Sequence, residues 1–571
     1  MQESATVEFK NITWEQAYPG RVQFEIEALR TAGATVTLDE DFLANGELRL
    51  KVIWPSDGQD ISLSIIYPDS FPRMRPTACL LGDAKEFPQR HCAPDGTLCL
   101  LGRDSSQWRS RMTAAQLLAE QLTDALDGSQ NEDRQGEPDE FWWNTMCGLK
   151  RSFCLFDSDW DTGDIDAGFL SLRYSAKGGA SPFFKAAVSE VQDRDRKSLF
   201  AADPNSYAWM RKPKTLKIPW IRLEERFFPN DVINQVNALL ARDSWPKKPS
   251  TEQFATGFSG QMFAVQYQSE LQFQSDGTAW MIGLSHGPKR AFKNGARPIV
   301  FNTIPTFRSG PSDIGARSNA FTVLNGKNIA IFGVGALGGP LALEVAKNGC
   351  AQLNLIDDDI VEPGNSIRWP LGTSAWGEKK VDALSNHISS NYGWCTSHPC
   401  DLGIGRINSE KSENGILTKI ISEADLIVDA TASSGVTALL YDFSAQYDKT
   451  LISLWATPSL EGGAVVKYVP KKGCPICLEH HFYEGSIVEP AGTGKETGLI
   501  QPPGCSERTF SGSSFDLGEI TLEAMRLIVA TLREANAESA IKTVSIASDP
   551  SQNLPSWQFQ PFSNHKNCSC T

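Results

Sequence analysis

The sequence predicts a mixed α/β protein of several domains that ends in a doubly wound parallel sheet. A chain of 571 residues is too long for one hydrophobic core, and its length corresponds to about three or four domains. From residue 326 onward, apolar strand-like runs alternate with amphipathic helical runs, as in a parallel sheet covered by helices. Residues 20–70 instead carry short alternating runs separated by turn residues, which favours an N-terminal α+β domain.

Changes in composition divide the chain into three predicted domains, residues 1–150, 151–315 and 316–571. The polar stretch 127–140 marks the first break. The middle domain contains the helical run VINQVNALLARD and the strand-like run QMFAVQYQ, but no motif that carries chemistry. It is interpreted as a linker domain of unknown role.

Individual runs predict the elements of the two outer domains. In the first domain VQFEIEAL, ELRLKVIW and ISLSIIY are predicted as strands, followed by the helix MTAAQLLAEQLTDAL. In the third domain NIAIFGVG, AQLNLIDDD, ADLIVDAT and TLISLWA are predicted as strands, and PLALEVAKNG as a helix. Residues 491–514 are rich in Gly, Thr, Pro and Ser and predict a long loop, a feature that is usually functional in a compact domain.

Composition and charge exclude several classes of function. A hydrophobic content of 41% and a charged content of 21% are ordinary for folded soluble proteins. A net charge of -14 repels a phosphate backbone, so we expect no nucleic-acid partner. The N-terminus lacks a signal-peptide pattern, and no run reaches the roughly 18 apolar residues of a membrane span. We therefore expect a cytoplasmic protein whose 13 cysteines are buried apolar residues, metal ligands or reactive thiols.

A glycine-rich loop predicts a nucleotide site. Gly333, Gly335 and Gly338 follow a predicted strand and open a predicted helix, with Pro340 in its first turn. Backbone amides and the helix dipole at such a loop can hold a phosphate group. With Asp357 about twenty residues further on, this pattern by itself suits an NAD-dependent enzyme equally well.

The residues after the loop favour ATP over NAD. They read DDDIVEPGNSIR and then GEKK, and this order resembles the adenylation domain of the ThiF, MoeB and ubiquitin-activating family. The resemblance implies that Asp357 holds the ribose of ATP and that the glycines allow close backbone approach. It also implies that three residues line the triphosphate and stabilise the charge that develops during attack by a carboxylate: Asn365, Arg368 and Lys380.

The magnesium ligand departs from the family pattern. Members of the family usually carry a magnesium-binding aspartate three residues after the acid that ends the next strand, and here that position is Ala432, after Asp429. Magnesium is still expected with ATP. Asp429 and Asp359 are the two candidate replacements.

Two cysteines are predicted to carry an acyl group. Cys505 lies in QPPGCSERTF within the long loop, which resembles the crossover-loop cysteine that attacks the acyl-adenylate in activating enzymes. Cys99 lies in HCAPDGTLCL, which resembles the active-site segment of ubiquitin-conjugating enzymes. Cys92 is a weaker candidate because it lacks the preceding glycine and the following leucine. The conjugating-enzyme H-P-N motif is replaced by His91 and the two residues after it, so His91 is interpreted as a loop-structuring residue.

Four other cysteines predict a structural zinc site. Cys474 and Cys477 have metal-ligand spacing, and Cys568 and Cys570 supply a second pair near the end of the chain. The family often has two C-x-x-C pairs, so the second, C-x-C pair leaves participation of His565 or a site without metal as alternatives. A disulfide is less favoured in the cytosol.

The two resemblances together indicate one function. A conjugating-like domain followed by an activating domain resembles the fused enzyme of bacterial CBASS anti-phage operons. That family implies a homodimer that activates a protein C-terminus with ATP, the substrate being a cGAS/DncV-like nucleotidyltransferase. The alternatives are conjugation of a bacterial ubiquitin-like modifier, an NAD-dependent oxidoreductase, and a scaffold built from inactive domains.

Overall fold

The structure is a computed structural model in two compact units. One unit contains residues 1–202 and 212–309, and the other contains residues 203–211 and 310–571. Each unit is described separately below. The residues that the structure describes are 9, 11–56, 60–83, 87, 91–93, 95–100, 108–127, 148–202, 209–210, 212–224, 232–272, 275–287, 300–404, 413–495, 499–500, 509–510, 512–534, 538–546 and 555–570.

The N-terminal part of the first unit is a four-stranded antiparallel sheet with flanking helices. The strands pair in sequence order: β1 (Thr35–Leu38), β2 (Leu48–Trp54), β3 (Ile61–Tyr67) and β4 (Thr77–Leu80). The helices are α1 (Thr13–Ala17), α2 (Arg21–Thr31), α3 (Glu40–Leu43) and α4 (Ala114–Asp127). Every second side chain of β2 is buried, and α2 packs against α4. The predicted α+β architecture is confirmed.

One predicted strand is wrong, because VQFEIEAL lies within helix α2. Its apolar residues alternate, which suggested a strand, but Val22, Ile26 and Leu29 also follow the i, i+4, i+7 spacing of a helix. These three side chains are buried, whereas Phe24 is exposed. The segment is a helix because the helical spacing places these three buried side chains on one face of α2.

The rest of the first unit is a ten-stranded sheet in the order β13-β12-β11-β9-β6-β7-β5-β14, with β10 paired to β11 and β8 to β7. Its strands are β5 (Phe153–Phe156), β6 (Ala167–Lys177), β7 (Phe183–Asp193), β8 (Ser198–Ala201), β9 (Lys214–Arg222), β10 (Thr251–Ala255), β11 (Phe258–Gln272), β12 (Ser275–Gly287), β13 (Val300–Ile304) and β14 (Thr306–Arg308). Helix α5 (Val232–Ala241) and β11 confirm the helix and strand predicted here. The three-domain division of the chain stays a prediction.

The second unit contains the predicted doubly wound sheet. Eight strands follow the order β17-β16-β15-β18-β19-β20-β23-β24, and the first five are parallel. They are β15 (Asn328–Phe332), β16 (Gln352–Ile356), β17 (Thr396–Cys400), β18 (Leu426–Asp429), β19 (Leu451–Ala456), β20 (Gly462–Tyr468), β23 (Ser539–Ser545) and β24 (Ser556–Phe562). A short pair, β21 (Leu499–Ile500) and β22 (Thr509–Phe510), stands apart. The three antiparallel strands at one edge were not predicted.

Helices cover both faces of this sheet. They are α6 (Pro311–Gly315), α7 (Asn319–Leu324), α8 (Gly338–Lys347), α9 (Lys380–Asn391), α10 (Glu413–Glu423), α11 (Ser434–Gln446), α12 (Pro475–Tyr483) and α13 (Ser514–Arg533). Two apolar cores result, one under α8, α9 and α13 and the other under α10, α11 and α12. The strand order reverses between β15 and β18, which is where ligands bind in open α/β sheets. Among the described residues, no helix is long and apolar enough to cross a membrane.

A buried carboxylate joins three elements of the N-terminal sheet region. Glu25 on α2 is fully buried and accepts hydrogen bonds from Arg21 Nη2 at 2.7 Å, Tyr67 OH at 3.1 Å and the Ala114 amide at 2.9 Å. Burial raises the pKa of Glu25, and these donors oppose that rise. The contacts fix α2 against β3 and against the first turn of α4.

We predict that Glu25→Ala lowers the free energy of unfolding of this region by about 3 kcal/mol or more, because it leaves Arg21 buried without its carboxylate. Hydrogen exchange of the α2 and α4 amides in the full chain measures the loss. Glu27→Ala, on the exposed side of the same helix, is the matched control. Equal protection in the two variants would contradict the assignment.

Candidate functional site

The glycine loop connects β15 to α8 at the point where the strand order reverses. Gly333 has a positive φ of 80°, and a side-chain carbon there would lie 2.9 Å from the backbone of Ala430 and Thr431. A side chain at Gly338 would collide with the Gly333 carbonyl. At Gly335 no described atom lies within 4 Å of the missing side chain. The loop is therefore closely packed on its inner side and leaves room at Gly335 for a ligand to approach the backbone.

Asp357 braces this loop from the end of β16. Its Oδ2 accepts the Val334 amide at 2.8 Å, and its Oδ1 accepts the Asp359 amide at 2.9 Å. Burial raises the pKa of Asp357, while the nearby Lys380 charge and the two amides oppose the rise. Each carboxylate oxygen keeps a second lone pair, so the group can still accept a ligand hydroxyl.

Lys380, Arg368 and Asn365 lie on the segment that follows Asp357. The ammonium of Lys380, at the start of α9, lies 2.8 Å from Asp359 Oδ2, and its side chain is only 10% exposed. Arg368 is half-buried, and burial lowers its pKa. Asn365 Oδ1 caps the 3₁₀ turn Pro363–Ile367 by accepting the Glu362 amide at 2.9 Å. The structure thus joins Lys380 directly to the aspartate run, and Trp369, the neighbour of Arg368, contacts the glycine loop.

Trp369 is a structural residue that the sequence prediction missed. Its indole Nε1 donates to the Val334 carbonyl at 2.8 Å, and a side-chain carbon at Gly339 would lie 2.7 Å from the same nitrogen. The absence of a side chain at Gly339 leaves space for the Trp369 ring, which is only 5% exposed. A large aromatic residue within the polar run NSIRWP was the available signal.

Asp429 is buried, and both of its carboxylate oxygens accept hydrogen bonds from the protein. Its Oδ1 accepts Thr431 N at 3.0 Å and Thr431 Oγ1 at 2.7 Å. Its Oδ2 accepts Thr437 Oγ1 at 2.5 Å and Ser453 Oγ at 3.2 Å. These four bonds occupy the four lone-pair sites of a carboxylate that is 0% exposed. These bonds favour Asp359 over Asp429 as the replacement for the family's metal-binding aspartate, which stays a prediction. Among the described residues, the acidic side chains grouped closely enough at this edge to hold a cation are Asp357, Asp358 and Asp359.

The four predicted zinc ligands come together in the second unit. Cys474 and Cys477 lie at the start of α12, and the thiols of Cys474, Cys477, Cys568 and Cys570 lie within 4.8 Å of one another. The Cys474–Cys568 and Cys477–Cys570 sulfur distances are 3.5 and 3.2 Å. A tetrahedral zinc with bonds of about 2.3 Å separates its sulfur ligands by about 3.8 Å, so the set fits such an ion.

His565 supports the cysteine cluster without joining it. Its backbone amide donates to Cys477 Sγ at 3.2 Å, while its ring nitrogen Nε2 lies 3.0 Å from Glu484 Oε2. Burial opposes ionisation of Cys477, but hydrogen bonds from the backbone of His565 and Cys474 and from the thiols of Cys570 and Cys568 outweigh it and lower the pKa of Cys477 to about 7. The geometry favours four sulfur ligands over participation of the His565 ring.

Cys99 lies at an exposed loop edge of the first unit. Its amide donates to the His91 carbonyl at 2.7 Å, and Asp95 Oδ1 accepts the Thr97 amide at 3.0 Å in the turn before it. Gly96, with a φ of 83°, passes close to the Leu80 carbonyl. Cys99 is exposed, whereas Cys92 is buried, which favours Cys99 as the accessible thiol. His91 is buried, and its backbone carbonyl holds the Cys99 loop.

Cys505 lies outside the described residues, as do residues 496–498, 501–508 and 511 of the 491–514 loop. The strands on either side of it are described and pair with each other, Leu499 with Phe510 and Ile500 with Thr509. The role of Cys505 as the first acyl carrier therefore stays a prediction.

Comparison with known proteins links the second unit to one family. The ThiF family model matches residues 315–569. Over its full length the chain is similar to uncharacterized protein y4qC of Sinorhizobium fredii, with 38% identity over 565 residues and 96% of each chain covered. Two partial similarities also occur. One is to the ATP-dependent ubiquitin transferase-like protein Cap2 of Enterobacter hormaechei, 25% identical over 26% of this chain and 23% of Cap2. The other is to the adenylyltransferase and sulfurtransferase UBA4 of Eremothecium gossypii, 29% identical over 23% of this chain and 28% of UBA4.

We predict that Asp429→Ala lowers the free energy of unfolding of the second unit by about 3 kcal/mol or more, because three hydroxyls and one amide lose their acceptor. Thermal unfolding of the full chain measures the effect. Asp442→Ala, an exposed position on α11, is the control and should change stability by less than about 0.5 kcal/mol. A melting temperature of Asp429→Ala equal to that of wild type would refute the structural role.

Proposed function

Because this chain belongs to the family of y4qC and carries a ThiF/MoeB-type adenylation domain at residues 315–569, we propose that it activates the C-terminal carboxylate of a protein with ATP. The observation that carries this proposal is the glycine loop, open at Gly335 and braced by Asp357, at the edge where the strand order reverses. An NAD-dependent oxidoreductase would also use such a loop. The match to the ThiF family and the Lys380–Asp359 ion pair, which follows the glycine loop in the chain, favour adenylation.

Each residue of the loop region has a part in the proposed reaction. Asp357 accepts the ribose hydroxyls, and the loop amides at the start of α8 hold phosphate oxygens. The substrate carboxylate attacks the α-phosphorus of ATP, the bond to the bridging oxygen breaks, and pyrophosphate leaves. Arg368 and Lys380 stabilise the charge that develops on the phosphate oxygens. The triphosphate competes with Asp359 for the Lys380 ammonium.

The aspartate run after β16 would hold the magnesium ion that accompanies ATP. Magnesium prefers one or two carboxylates together with phosphate oxygens and water. Asp359, whose side chain is 65% exposed, is the carboxylate that we assign to it, because Asp429 has no free lone pair.

Two thiol steps follow adenylation. The Cys505 thiolate attacks the acyl-adenylate carbonyl, forming a thioester and releasing AMP. The Cys99 thiolate then attacks this thioester and frees Cys505. A target lysine amine finally attacks the Cys99 thioester, which forms an amide and returns the thiol. The exposure of Cys99 and its held loop support its part in the last two steps.

The substrate we propose is a cGAS/DncV-like nucleotidyltransferase in anti-phage defence, acted on by a cytoplasmic homodimer. The resemblance to fused activating–conjugating enzymes supports this, as does the partial similarity to Cap2, whose name describes an ATP-dependent ubiquitin transferase-like protein. A small ubiquitin-like modifier is the alternative substrate. A scaffold of inactive domains is the alternative of a different class, and it predicts that the cysteine variants behave like wild type.

The four-cysteine cluster would hold a structural zinc ion through Cys474, Cys477, Cys568 and Cys570. When bound, the ion contributes folding energy by joining the start of α12 to the end of the chain. The His565 amide stabilises the thiolate charge that such an ion requires.

We predict an order of acyl transfer that intact-mass analysis under non-reducing conditions can measure. With ATP and a cGAS/DncV-like nucleotidyltransferase from the same operon, wild type should form a thiol-sensitive adduct. Cys505→Ala should abolish it, because no thioester then forms, whereas Cys99→Ala should keep it but form no amide product.

Cys92→Ala is the control for the second transfer and should still form the amide product. If both Cys505→Ala and Cys99→Ala keep the adduct, the cysteine roles are wrong. If wild type forms none with either the nucleotidyltransferase or a glycine-ended modifier, but pyrophosphate exchange occurs, the substrate is wrong and adenylation stands.

We predict one zinc ion per chain, and a lower stability after its removal. Cys568→Ser combined with Cys570→Ser should lose the metal and lower the melting temperature by several degrees, since about 1 kcal/mol corresponds to about 2–4 °C in a domain of this size. Elemental analysis and thermal unfolding measure both effects. Cys400→Ser, outside the cluster, should retain the ion; metal loss there as well would show non-specific binding.

A further inference from the structure

A cavity of about 210 Å³ lies in the second unit, on the sheet face covered by α11 and α12. Its inner wall is formed by residues of β19 and β20, and its outer walls by the two helices. Its lining residues include Ala432, Thr437, Ser453, Trp455, Tyr468 and Phe482. Most of the lining is apolar, with three aromatic rings, which is the usual character of a site for an apolar group.

One hydroxyl of this cavity has no hydrogen-bond partner among the described residues. The Tyr468 side chain is only 3% exposed, and its hydroxyl makes no hydrogen bond with a described residue. This hydroxyl is not one of the fully enclosed polar atoms of the described residues, so it is accessible from the cavity. Burial and the charge of Asp429 raise the pKa of Tyr468, so this hydroxyl is a neutral donor and acceptor. A ligand with a polar tip would satisfy it.

The other buried hydroxyls of the cavity are already committed. Thr437 Oγ1 and Ser453 Oγ both donate to Asp429 Oδ2, at 2.5 and 3.2 Å. They hold the wall in place and leave Tyr468 as the buried hydroxyl available to a ligand among the described lining residues. We therefore expect the cavity to bind a ligand with one polar tip more tightly than a wholly apolar ligand of the same size.

The cavity begins beside the nucleotide loop. Ala432, one of its lining residues, follows Ala430 and Thr431, whose backbone lies against Gly333. Ala432 stands where a charged aspartate would make this end of the cavity polar, so the cavity is accessible to an apolar group. A protein whose C-terminal carboxylate is activated at the loop brings the side chains of its last residues to this edge of the sheet.

We propose that this cavity binds one large side chain from the C-terminal segment of the activated protein, a tyrosine or tryptophan with an apolar ring and a polar tip. This rests on the proposed adenylation. Apolar cavities of about 150 Å³ bind benzene, so about 210 Å³ is sufficient for a phenol or an indole ring. The Tyr468 hydroxyl forms a hydrogen bond with the polar tip of the bound side chain, and the rings of Trp455 and Phe482 contact its aromatic ring.

Small probes test the cavity without any catalysis. Binding of 4-methylphenol and toluene to the full chain is measured by ligand-observed NMR in wild type, Tyr468→Phe and Tyr441→Phe. Tyr441→Phe removes a hydroxyl from the same core but outside the lining. The affinity ratio of 4-methylphenol to toluene should fall about two- to tenfold in Tyr468→Phe alone. An unchanged ratio, or no binding of either probe to wild type, overturns the proposal.

Peptide substrates test the biological occupant. Free-acid peptides that carry Tyr, Phe or Gly at each of their last positions are compared in ATP–pyrophosphate exchange. At one position, the peptide with Tyr should give an exchange rate about tenfold or more above that of the Gly peptide and about two- to tenfold above that of the Phe peptide. Tyr468→Phe should remove the difference between the Tyr and Phe peptides. Equal exchange with Gly at every position overturns the side-chain proposal and leaves adenylation intact. Probe binding without exchange by any peptide or candidate protein overturns the proposed function instead.

Discussion

The carboxylate of Asp429 accepts four hydrogen bonds in a fully buried position at the end of β18. Its donors belong to the following turn, to α11 and to the neighbouring strand β19. Because burial makes any unpaired donor costly, these groups have one mutually satisfying arrangement. That arrangement places the backbone of Ala430 and Thr431 against Gly333, and it sets two hydroxyls into the wall of the cavity beside α11.

The nucleotide edge of the second unit follows from this packing. Gly333 has no space for a side chain because the turn after β18 occupies it, and Asp357 holds the loop from the other side through the Val334 amide. Trp369 closes the same loop by donating to the Val334 carbonyl. Loop amides are thus positioned before any ligand binds, which is the condition for strong electrostatic stabilisation of developing charge.

The cysteines divide by environment into different kinds of thiol. Cys99 is exposed on a loop held by backbone hydrogen bonds, which suits its proposed role as an acyl carrier that meets a second protein. Cys474, Cys477 and Cys568 are buried, and the exposed Cys570 lies beside them. The His565 amide donates to the sulfur of Cys477. Cys154, Cys350 and Cys395 are buried apolar residues whose pKa burial raises, so they stay protonated thiols. One residue type therefore serves different purposes according to burial and neighbours.

Sequence patterns were sufficient to predict the parallel sheet, the glycine loop, the cysteine quartet and the turn before Cys99. These are local patterns, since period, turn residues and ligand spacing act over short distances. The folded chain was needed to show that VQFEIEAL is a helix, that the Asp429 carboxylate accepts four hydrogen bonds, and that Trp369 supports the glycine loop. It was also needed to show that Tyr468 and Ala432 line one cavity, because that cavity depends on contacts between strands and helices far apart in the chain.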